Sequence, residues 1–454
     1  MKLDLLLHDG LLVLPDFGTV PGSVGIKDGR IAAILERGAV LPADEVVDCA
    51  GRWIMPGVID PHVHFGFGSP ENDFLTESRS AALGGVTSVL SFYRTADFRT
   101  AFDAYRAHAE TQSCIDFGFH FGITSHLHVE TLAECSRRFG VSSYKLYLMY
   151  KGAAGLAQGF TEIDDALLYA AARATAAIKG AVLGVHCENV EVIPLLRDEL
   201  RAAGRDDLAA WNEQSPDFLE AENVHRACYF AGKVGCPINI VHLSSREALD
   251  EVRRHRRRNA APIYVETCPH YLFLDDTSPA GVLAKVNPPI RSHGDVDALW
   301  QGIADGSVTT VGTDHVPRKR STKEGKSIWA SSNGFPGVAT MLPIMLHEGY
   351  HRRGIAPERI AAVLSRNVAR LYNMPGKGAI AVGYDADLVV VDPELARVVD
   401  AAQLESFADY SPFEGMTLKG WPVMTLVRGR KVMVDGRIVE TAGNAPGGRY
   451  LVRC

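Results

Sequence analysis

Eight short apolar runs follow one another through the middle of the chain, and helix-like patterns separate most of them. The runs are rich in β-branched and aromatic residues, which is typical of strands covered on both faces in a parallel sheet. Amphipathic stretches such as SREALDEVRRHRRR lie between them. The runs read WIMPGVID, GVTSVLSF, DFGFHFGIT, SYKLYLM, AVLGVH, PINIVHL, PIYVETC and VTTVGTD. Eight strands that alternate with helices predict an α/β fold of the (β/α)8 TIM-barrel type.

The two ends of the chain have a different pattern, in which short strand-like segments are separated by Gly and Asp. The stretch GIKDGRIAAI, near the start, has a Lys-Asp-Gly turn between apolar segments, which indicates a hairpin. TLVRGRKVMVDGRIV, near the end, is built in the same way. We therefore predict one small β-sandwich domain formed by residues 1–52 and 376–454, with the barrel at residues 53–375 between them.

The composition argues against several classes of partner. A net charge of −7 argues against a nucleic-acid surface. No apolar run approaches the roughly 18 residues of a membrane span, so we expect no membrane partner. The eight cysteines include no pair at CxxC spacing, which argues against a disulfide framework and predicts a cytoplasmic protein.

Residues of metal-binding types stand at the ends of several predicted strands. Catalytic residues of such barrels lie at the carboxyl ends of the strands, around one mouth. The first run ends in His62 and His64, which share one face of a strand at this spacing. The fifth, sixth and eighth runs lead to His186, His242 and Asp314. Imidazole and carboxylate suit zinc, and five such ligands exceed one tetrahedral site, so two metal ions are plausible.

Other histidines lie in patterns that favour structural roles. His126 and His128 have the spacing of the first pair, but they enter a predicted helix, where residues two apart do not share a face. His120 lies inside the third run, and we expect it in the core. His270 and His315 lie near the predicted mouth in weaker patterns.

Lys145 lies inside the fourth run, although a lysine is almost never fully buried unless it is paired. Close to two metal cations, the pKa of its amine would fall from about 10.4. A neutral amine can react with carbon dioxide to form a carbamate, whose two oxygens can bridge two metals. Lys145 is therefore either a carboxylated bridging ligand or a side chain that extends from the strand end to solvent.

The ordered motifs of the chain resemble those of the cyclic amidohydrolases, a group that contains hydantoinases, dihydropyrimidinases, allantoinases and dihydroorotases. The resemblance covers nearly the whole chain and rests on GVIDPHVHFG, SYKLYLMYKG, GVHCEN, IVHLSS, YVETCPHYLFL, KVNPPIRS, VGTDHVP and DYSPFEGMTLKGWPVMTLVRGR. It implies a centre of two divalent metal ions, usually zinc, with a carboxylated lysine. The implied ligands are His62, His64, Lys145, His186, His242 and Asp314.

Within that group, the chain is most similar to hydantoinases and dihydropyrimidinases. Tyr150, five residues after Lys145, matches their tyrosine that hydrogen-bonds the substrate carbonyl, and the YSPFEGMTLKGWPV stretch is also similar to theirs. Asn287 and Asn333 match positions that bind the substrate ring through backbone groups. ETCPHYL and VNPPIR are instead similar to allantoinases and dihydroorotases, so those two activities are the alternative.

The resemblance implies that a metal-bound hydroxide attacks a ring amide, with Tyr150 donating to the oxyanion and Asp314 carrying the proton to the leaving nitrogen. The substrate is then a small cyclic amide, and the product an N-carbamoyl amino acid. We expect a homo-oligomer, either a dimer or a homotetramer. A remote alternative is a non-catalytic interaction protein of the same fold, similar to the collapsin-response mediator proteins, which lack the metal site.

The residues after the first histidine pair bear on substrate charge. Dihydroorotases typically carry an arginine there, which holds the ring carboxylate, whereas this chain has Phe65 and Gly66. We therefore predict a mouth lined by Phe65 and Phe67 that opens neutral rings at least roughly tenfold better than dihydroorotate. This prediction would be wrong if Arg94 or Arg291 bound the substrate carboxylate instead.

Overall fold

A computed structural model describes residues 2–151, 155–156, 159–160, 163–440 and 447–453 of the chain. The strands are β1 (Leu3–Leu14), β2 (Gly18–Lys27), β3 (Arg30–Glu36), β4 (Ala43–Asp48), β5 (Trp53–Pro56), β6 (Val58–Val63), β7 (Val86–Tyr93), β8 (Asp116–Ile123), β9 (Ser143–Tyr147), β10 (Val182–His186), β11 (Ile238–Ile240), β12 (Ile263–Thr267), β13 (Thr310–Val311), β14 (Leu388–Val398), β15 (Thr417–Val427), β16 (Arg430–Val434) and β17 (Arg437–Ile438).

Helices lie between the strands of the central region. They are α1 (Asp73–Leu83), α2 (Phe98–Glu110), α3 (His126–Phe139), α4 (Asp165–Ala176), α5 (Ile193–Ala202), α6 (Leu208–Glu213), α7 (Asp217–Val234), α8 (Arg246–Arg256), α9 (His293–Asp305), α10 (residues 341–352) and α11 (residues 357–371). Short 3₁₀ turns occur at Pro269–Leu272, Gly281–Ala284, Arg320–Thr322, Val338–Thr340 and Ala401–Gln403. Among the described residues, no helix is both long enough and apolar enough to cross a membrane.

The central strands β6 to β13 form one parallel sheet in the order of the chain. The sheet curls into a nearly closed barrel, because Val63 in β6 forms a parallel bridge with His315, just after β13. All eight predicted runs contribute a barrel strand, so the predicted (β/α)8 fold is confirmed.

Strand β8 illustrates why these runs are apolar on both faces. Phe117 and Phe119 point toward the helical layer, where their rings lie 5.5 Å from Phe74 and 5.3 Å from Phe102 respectively. His120, the residue after Phe119, points the other way and bonds to the hydroxyl of Ser143 on the neighbouring strand. Every residue of β8 is buried, as expected for a strand with the barrel core on one face and helices on the other.

A second, mostly antiparallel sheet combines both ends of the chain, as predicted. Its strand order is β17-β16-β15-β14-β5-β1-β2-β3, with β4 beside β1. The predicted hairpin is present, because β2 pairs with β3 across a turn in which Asp28 and Gly29 have positive φ angles of 52° and 75°. This terminal sheet has its own apolar core, which includes Leu5, Ile54 and Leu388.

The first predicted run is shared between the two sheets. Residues 53–56 form β5, which pairs with β1 and β14 of the terminal sheet, whereas residues 58–63 form the first barrel strand. Gly57 lies at the division, and a Cβ there would stand 2.3 Å from the hydroxyl of Thr87. The strand pairing therefore assigns Trp53–Pro56 to the terminal sheet, not to the barrel as the sequence suggested.

A buried ion cluster joins the barrel to the terminal sheet. The amine of Lys377 donates to Asp116 at 2.8 Å and also to Asp387. The guanidinium of Arg428 donates to the other oxygen of Asp116. Asp116 begins β8, whereas Arg428 lies in the turn between β15 and β16, so these charges connect the two sheets directly.

Candidate metal centre

A cavity of about 280 Å³ lies at the carboxyl ends of the barrel strands. Its lining includes all six predicted metal ligands together with Tyr150, Asn287 and Asn333. The structure therefore brings together every predicted metal ligand and the three predicted substrate-binding residues, from six different strands or the segments that follow them.

The first part of the site is formed by His62, His64 and Asp314. Oδ1 of Asp314 lies 3.2 Å from Nε2 of His62 and 2.9 Å from Nε2 of His64. One ligand atom from each of the three residues can be chosen so that all lie within 4.8 Å of one another. Such a set of two imidazoles and one carboxylate is suited to zinc.

The second part of the site is formed by Lys145, His186 and His242. The amine of Lys145 lies 3.4 Å from Nε2 of His242, and the His186 and His242 rings are 4.3 Å apart. The His62 and His242 rings are 5.3 Å apart, so the two parts of the site are adjacent. Nδ1 of His242 is buried and has no hydrogen-bond partner among the described residues.

Two carboxylates outside the cavity fix the orientation of the imidazoles. Glu266 contacts Nδ1 of His62 at 2.5 Å, which leaves Nε2 of that ring facing Asp314. Glu188 contacts Nε2 of His186 at 2.7 Å and also accepts a hydrogen bond from Ser215. Carboxylates in this arrangement are typical partners of metal-ligating histidines.

Sequence reasoning missed both glutamates, although a signal was present for each. Glu266 is the next-to-last residue of a barrel strand, and Glu188 stands two residues after His186.

Lys145 is buried in the middle of β9. Burial lowers the pKa of its amine to about 8, although the charges of Asp314 and Glu266 oppose that effect. A larger fraction of this amine is therefore neutral at physiological pH than for a lysine in water.

Asp314 and His242 have unusual backbone conformations, with φ angles of 52° and 38°. Positive φ costs free energy for a residue other than glycine, and it persists where the surroundings fix the chain. His315 supplies such contacts, because its Nε2 lies 2.9 Å from Glu77 and its Nδ1 accepts hydrogen bonds from the backbone of Gly337 and Val338. His315 is thus a structural neighbour of the site.

Asp314 is ionised in this environment. Burial alone would raise the pKa of its carboxyl, but the charges and hydrogen bonds of His62 and His64 hold that pKa well below its usual value.

Tyr150 remains a hydrogen-bond donor. Burial raises the pKa of its hydroxyl to about 12, so the group is protonated at neutral pH. Its ring stacks on Phe160 at 4.6 Å, which fixes the direction of the hydroxyl. Asn287 and Asn333 also line the cavity, and Oδ1 of Asn333 is buried without a partner in the described ranges.

The predicted apolar mouth is wrong in part. Phe65 is fully buried and packs 5.5 Å from Phe74, so of these two phenylalanines only Phe67 lines the metal-site cavity, while Phe65 borders the neighbouring one. Two arginines line the metal-site cavity as well, Arg94 and Arg318, of which sequence reasoning named only the first. Arg291 lies elsewhere and is buried in an ion pair with Glu220.

The histidines expected to be structural have such environments. His126 and His128 begin α3, and Nε2 of His128 lies 3.0 Å from the carbonyl of Ala96. His120 is in the core, as predicted. His270 is buried beside Phe335, and it does not line the cavity.

The model of the amidohydrolase family matches residues 53–432 of the chain. The chain is 34% identical to an allantoinase of Rubrobacter xylanophilus, covering 99% of the chain and 97% of that protein. It is 32% identical to an L-hydantoinase of Paenarthrobacter aurescens, covering 97% of the chain and 96% of that protein. It is 34% identical to a D-phenylhydantoinase of Escherichia coli, covering 99% and 98%.

Solved structures show the same likeness. The structure of an L-hydantoinase (dihydropyrimidinase) from Arthrobacter aurescens superposes with a TM-score of 0.92 at 30% identity, covering 99% of the chain and 100% of that structure. A dihydropyrimidinase from Brevibacillus agri superposes with a TM-score of 0.88 at 29% identity, covering 99% and 98%.

Proposed function

The chain belongs to the amidohydrolase family, and on that premise we propose that it opens the ring of a hydantoin or a dihydropyrimidine by hydrolysing a ring amide bond. The product is an N-carbamoyl amino acid. The observation that carries this proposal is the convergence of four histidines, a buried lysine, an aspartate and a tyrosine on one cavity.

The donor set fits two divalent metal ions, most simply zinc. Glu266 contacts Nδ1 of His62, and Glu188 contacts Nε2 of His186. The other nitrogen of each ring is therefore available to a metal ion. In this proposal His62, His64 and Asp314 hold one ion, and the pair His186 and His242 holds the other, with Lys145 shared. When bound, such ions lower the pKa of a water toward 7 and polarise an amide carbonyl.

Lys145 acts as an anion in this scheme. Its neutral amine forms a bond to the carbon of carbon dioxide and loses a proton, which gives a carbamate with two oxygens. Because Lys145 lies next to His242 and lines the same cavity as the other ligands, its carbamate would be able to serve both ions. An unmodified ammonium at the same place would repel both ions.

Tyr150 and Asp314 perform the remaining steps. The hydroxyl of Tyr150 donates to the carbonyl oxygen as negative charge develops there, a contact often worth about 3 kcal/mol. The ionised carboxylate of Asp314 accepts a proton from the attacking water. It then delivers that proton to the ring nitrogen as the carbon–nitrogen bond breaks. Asn287 and Asn333, which line the same cavity, orient the ring.

Hydrolysis of allantoin is the second candidate. The allantoinase shares as much identity with this chain as the phenylhydantoinase does, so overall similarity favours neither substrate.

We further propose a cytoplasmic homo-oligomer, either a dimer or a tetramer. The seven described cysteines are free thiols, which suits a reducing compartment. Phe17, Val40 and Val46 of the terminal-sheet region expose large parts of their apolar side chains, which suits burial against a second copy. Sedimentation of the purified protein as a monomer would contradict the oligomer.

The test is a turnover panel of hydantoin, dihydrouracil, allantoin and dihydroorotate with protein expressed in zinc-supplied medium. We expect about two metal ions per chain by elemental analysis and ring opening of at least one substrate. Tyr150→Phe removes only the hydroxyl and should lower kcat by about 10²-fold while metal content stays unchanged. A metal-loaded protein that opens none of the four rings would overturn the proposed function.

A further inference from the structure

Two arginines face the cavity from segments outside the ligand motifs. Arg94 follows the last residue of β7, and Arg318 lies four residues after Asp314. Both line the same cavity as Tyr150 and Asp314. Asp314 is the one carboxylate among the cavity-lining residues that the structure describes, and the histidine ligands already contact it.

Neither guanidinium has a carboxylate partner among the described residues. The Arg94 guanidinium lies 4.9 Å from the ring centres of Phe67 and of Phe160, and it makes no hydrogen bond to a described residue. Nε of Arg318 donates to the backbone carbonyl of Asn333 at 2.9 Å, and its two terminal nitrogens make no such bond. The contrast is Arg291, whose nitrogens bond to Glu220 and to neighbouring polar groups.

These contacts hold both guanidiniums in position and leave their terminal N–H groups available to a ligand. Stacking on aromatic faces orients the plane of Arg94, and the bond to Asn333 orients that of Arg318. Both guanidiniums line the same cavity as Tyr150, the residue proposed to donate to the scissile carbonyl. Paired donors of an oriented guanidinium are the preferred partners of a carboxylate.

Arg94 also stands between two cavities. Together with Phe67 it lines both the ligand cavity and a second cavity of about 690 Å³, whose wall includes Phe92, Tyr93 and Tyr105. Arg94 and Phe67 therefore form a wall that the two cavities share.

We propose that the substrate carries a carboxylate, on the ring or on a short ring substituent, and that Arg94 and Arg318 bind it. This inference rests on the proposed ring-opening function and narrows it to acidic rings. It replaces the expectation of neutral substrates, which depended on the absence of an arginine directly after His64. Arg94 and Arg318 set specificity and take no part in bond breaking.

The test compares each acid with its own carboxamide, which has nearly the same shape without the charge. One pair is 5-(2-carboxyethyl)hydantoin and its amide, and the other is dihydroorotate and its amide. We expect kcat/KM to favour one acid over its amide by roughly 30-fold or more. The pair that shows the preference identifies whether the carboxylate belongs on the substituent or on the ring.

Arg94→Met and Arg318→Met should each reduce turnover of the preferred acid by roughly tenfold or more and reduce that of the amide less, so that the acid-to-amide ratio of kcat/KM falls. Arg99→Met is the matched control, because Arg99 pairs with Asp97 outside the cavity. Equal turnover of both acids and their amides by the unaltered enzyme would overturn this inference and leave ring opening intact. The ratio of acid to amide turnover is measured on the unaltered enzyme, so it still tests the inference if a variant fails to fold. Opening of no ring at all would instead overturn the proposed function.

Discussion

Two buried lysines of this molecule, Lys145 and Lys377, have opposite surroundings. Lys377 lies beside the amino end of the barrel, where its amine donates to Asp116 and Asp387. Lys145 lines the cavity at the carboxyl ends of the strands, where its nearest hydrogen-bonding contact is a histidine nitrogen at 3.4 Å. Burial opposes the charge of both, but the carboxylates hold the pKa of Lys377 above its usual value, whereas the pKa of Lys145 falls to about 8.

The difference shows that proximity of ionisable groups does not by itself identify a metal site. Asp116, Asp385 and Asp387 lie as close together as metal ligands do, yet Lys377 and Arg428 already neutralise them. At the carboxyl end, no lysine or arginine in the described part of the chain forms an ion pair with Asp314, whose contacts are to His62 and His64, and His242 keeps a buried nitrogen without a partner among those residues. A saturated cluster, in which every charge is paired, stabilises the fold. An unsaturated cluster, which keeps ligand atoms without a partner, can bind a metal ion.

The largest expected effect is a loss of activity when Lys145, the lysine of the unsaturated cluster, is replaced. Lys145→Ala should lower kcat by about 10³-fold or more, since loss of the shared ligand removes several kcal/mol of transition-state stabilisation. Short carboxylic acids added with zinc should restore part of that activity, because they supply the missing two-oxygen anion. Steady-state rates with and without acetate measure this.

The urea concentration at the midpoint of unfolding should be about the same for Lys145→Ala as for the unaltered protein without metal. An active enzyme whose Lys145 is unmodified in a crystal structure would contradict the bridging role.

The next effect is on stability, from the lysine of the saturated cluster. Lys377→Met should lower the free energy of unfolding by about 3–5 kcal/mol, because it leaves Asp116 and Asp387 buried with one cation fewer. Urea unfolding of the metal-loaded protein measures the change. The folded fraction should keep its kcat and its metal content. A loss of metal equal to that of Lys145→Ala would show that the two clusters are not separate in function.

The smallest effect concerns the carboxylate that orients His62. Glu266→Gln keeps the shape of the side chain but removes its charge, so the affinity for metal should fall by about 10- to 100-fold. Competition with a chelator measures this affinity, with Glu247→Gln on the surface of α8 as the control. Unchanged affinity would mean that contacts within the cavity alone orient the ring.

The sequence predicts those features that depend on periodicity and on strand ends. The eight apolar runs indicate the barrel, and the rule that strand ends share one mouth predicts that His62, His186, His242 and Asp314 meet. The same periodicity explains the error at Phe65. It follows His64 directly, so it points away from the face that the histidines share, into the layer of Phe74.

Other features depend on tertiary contacts that no local pattern contains. Arg318 reaches the cavity from an irregular segment after β13, and its direction is set by the backbone of Asn333. The division at Gly57 likewise follows from pairing of β5 with β14, which is distant in sequence.

The pairing of β5 with β14 also has a consequence for synthesis on the ribosome. One neighbour of β5, strand β1, precedes it in the chain, but the other, β14, begins only at Leu388. At roughly 5–20 residues per second, β14 emerges some tens of seconds after β5. During that interval the nascent chain presents an open strand edge whose residues are apolar, the kind of edge that recruits other chains. Chaperones that bind nascent apolar segments would therefore have access to Trp53–Pro56 throughout that interval, a few residues before the histidine pair.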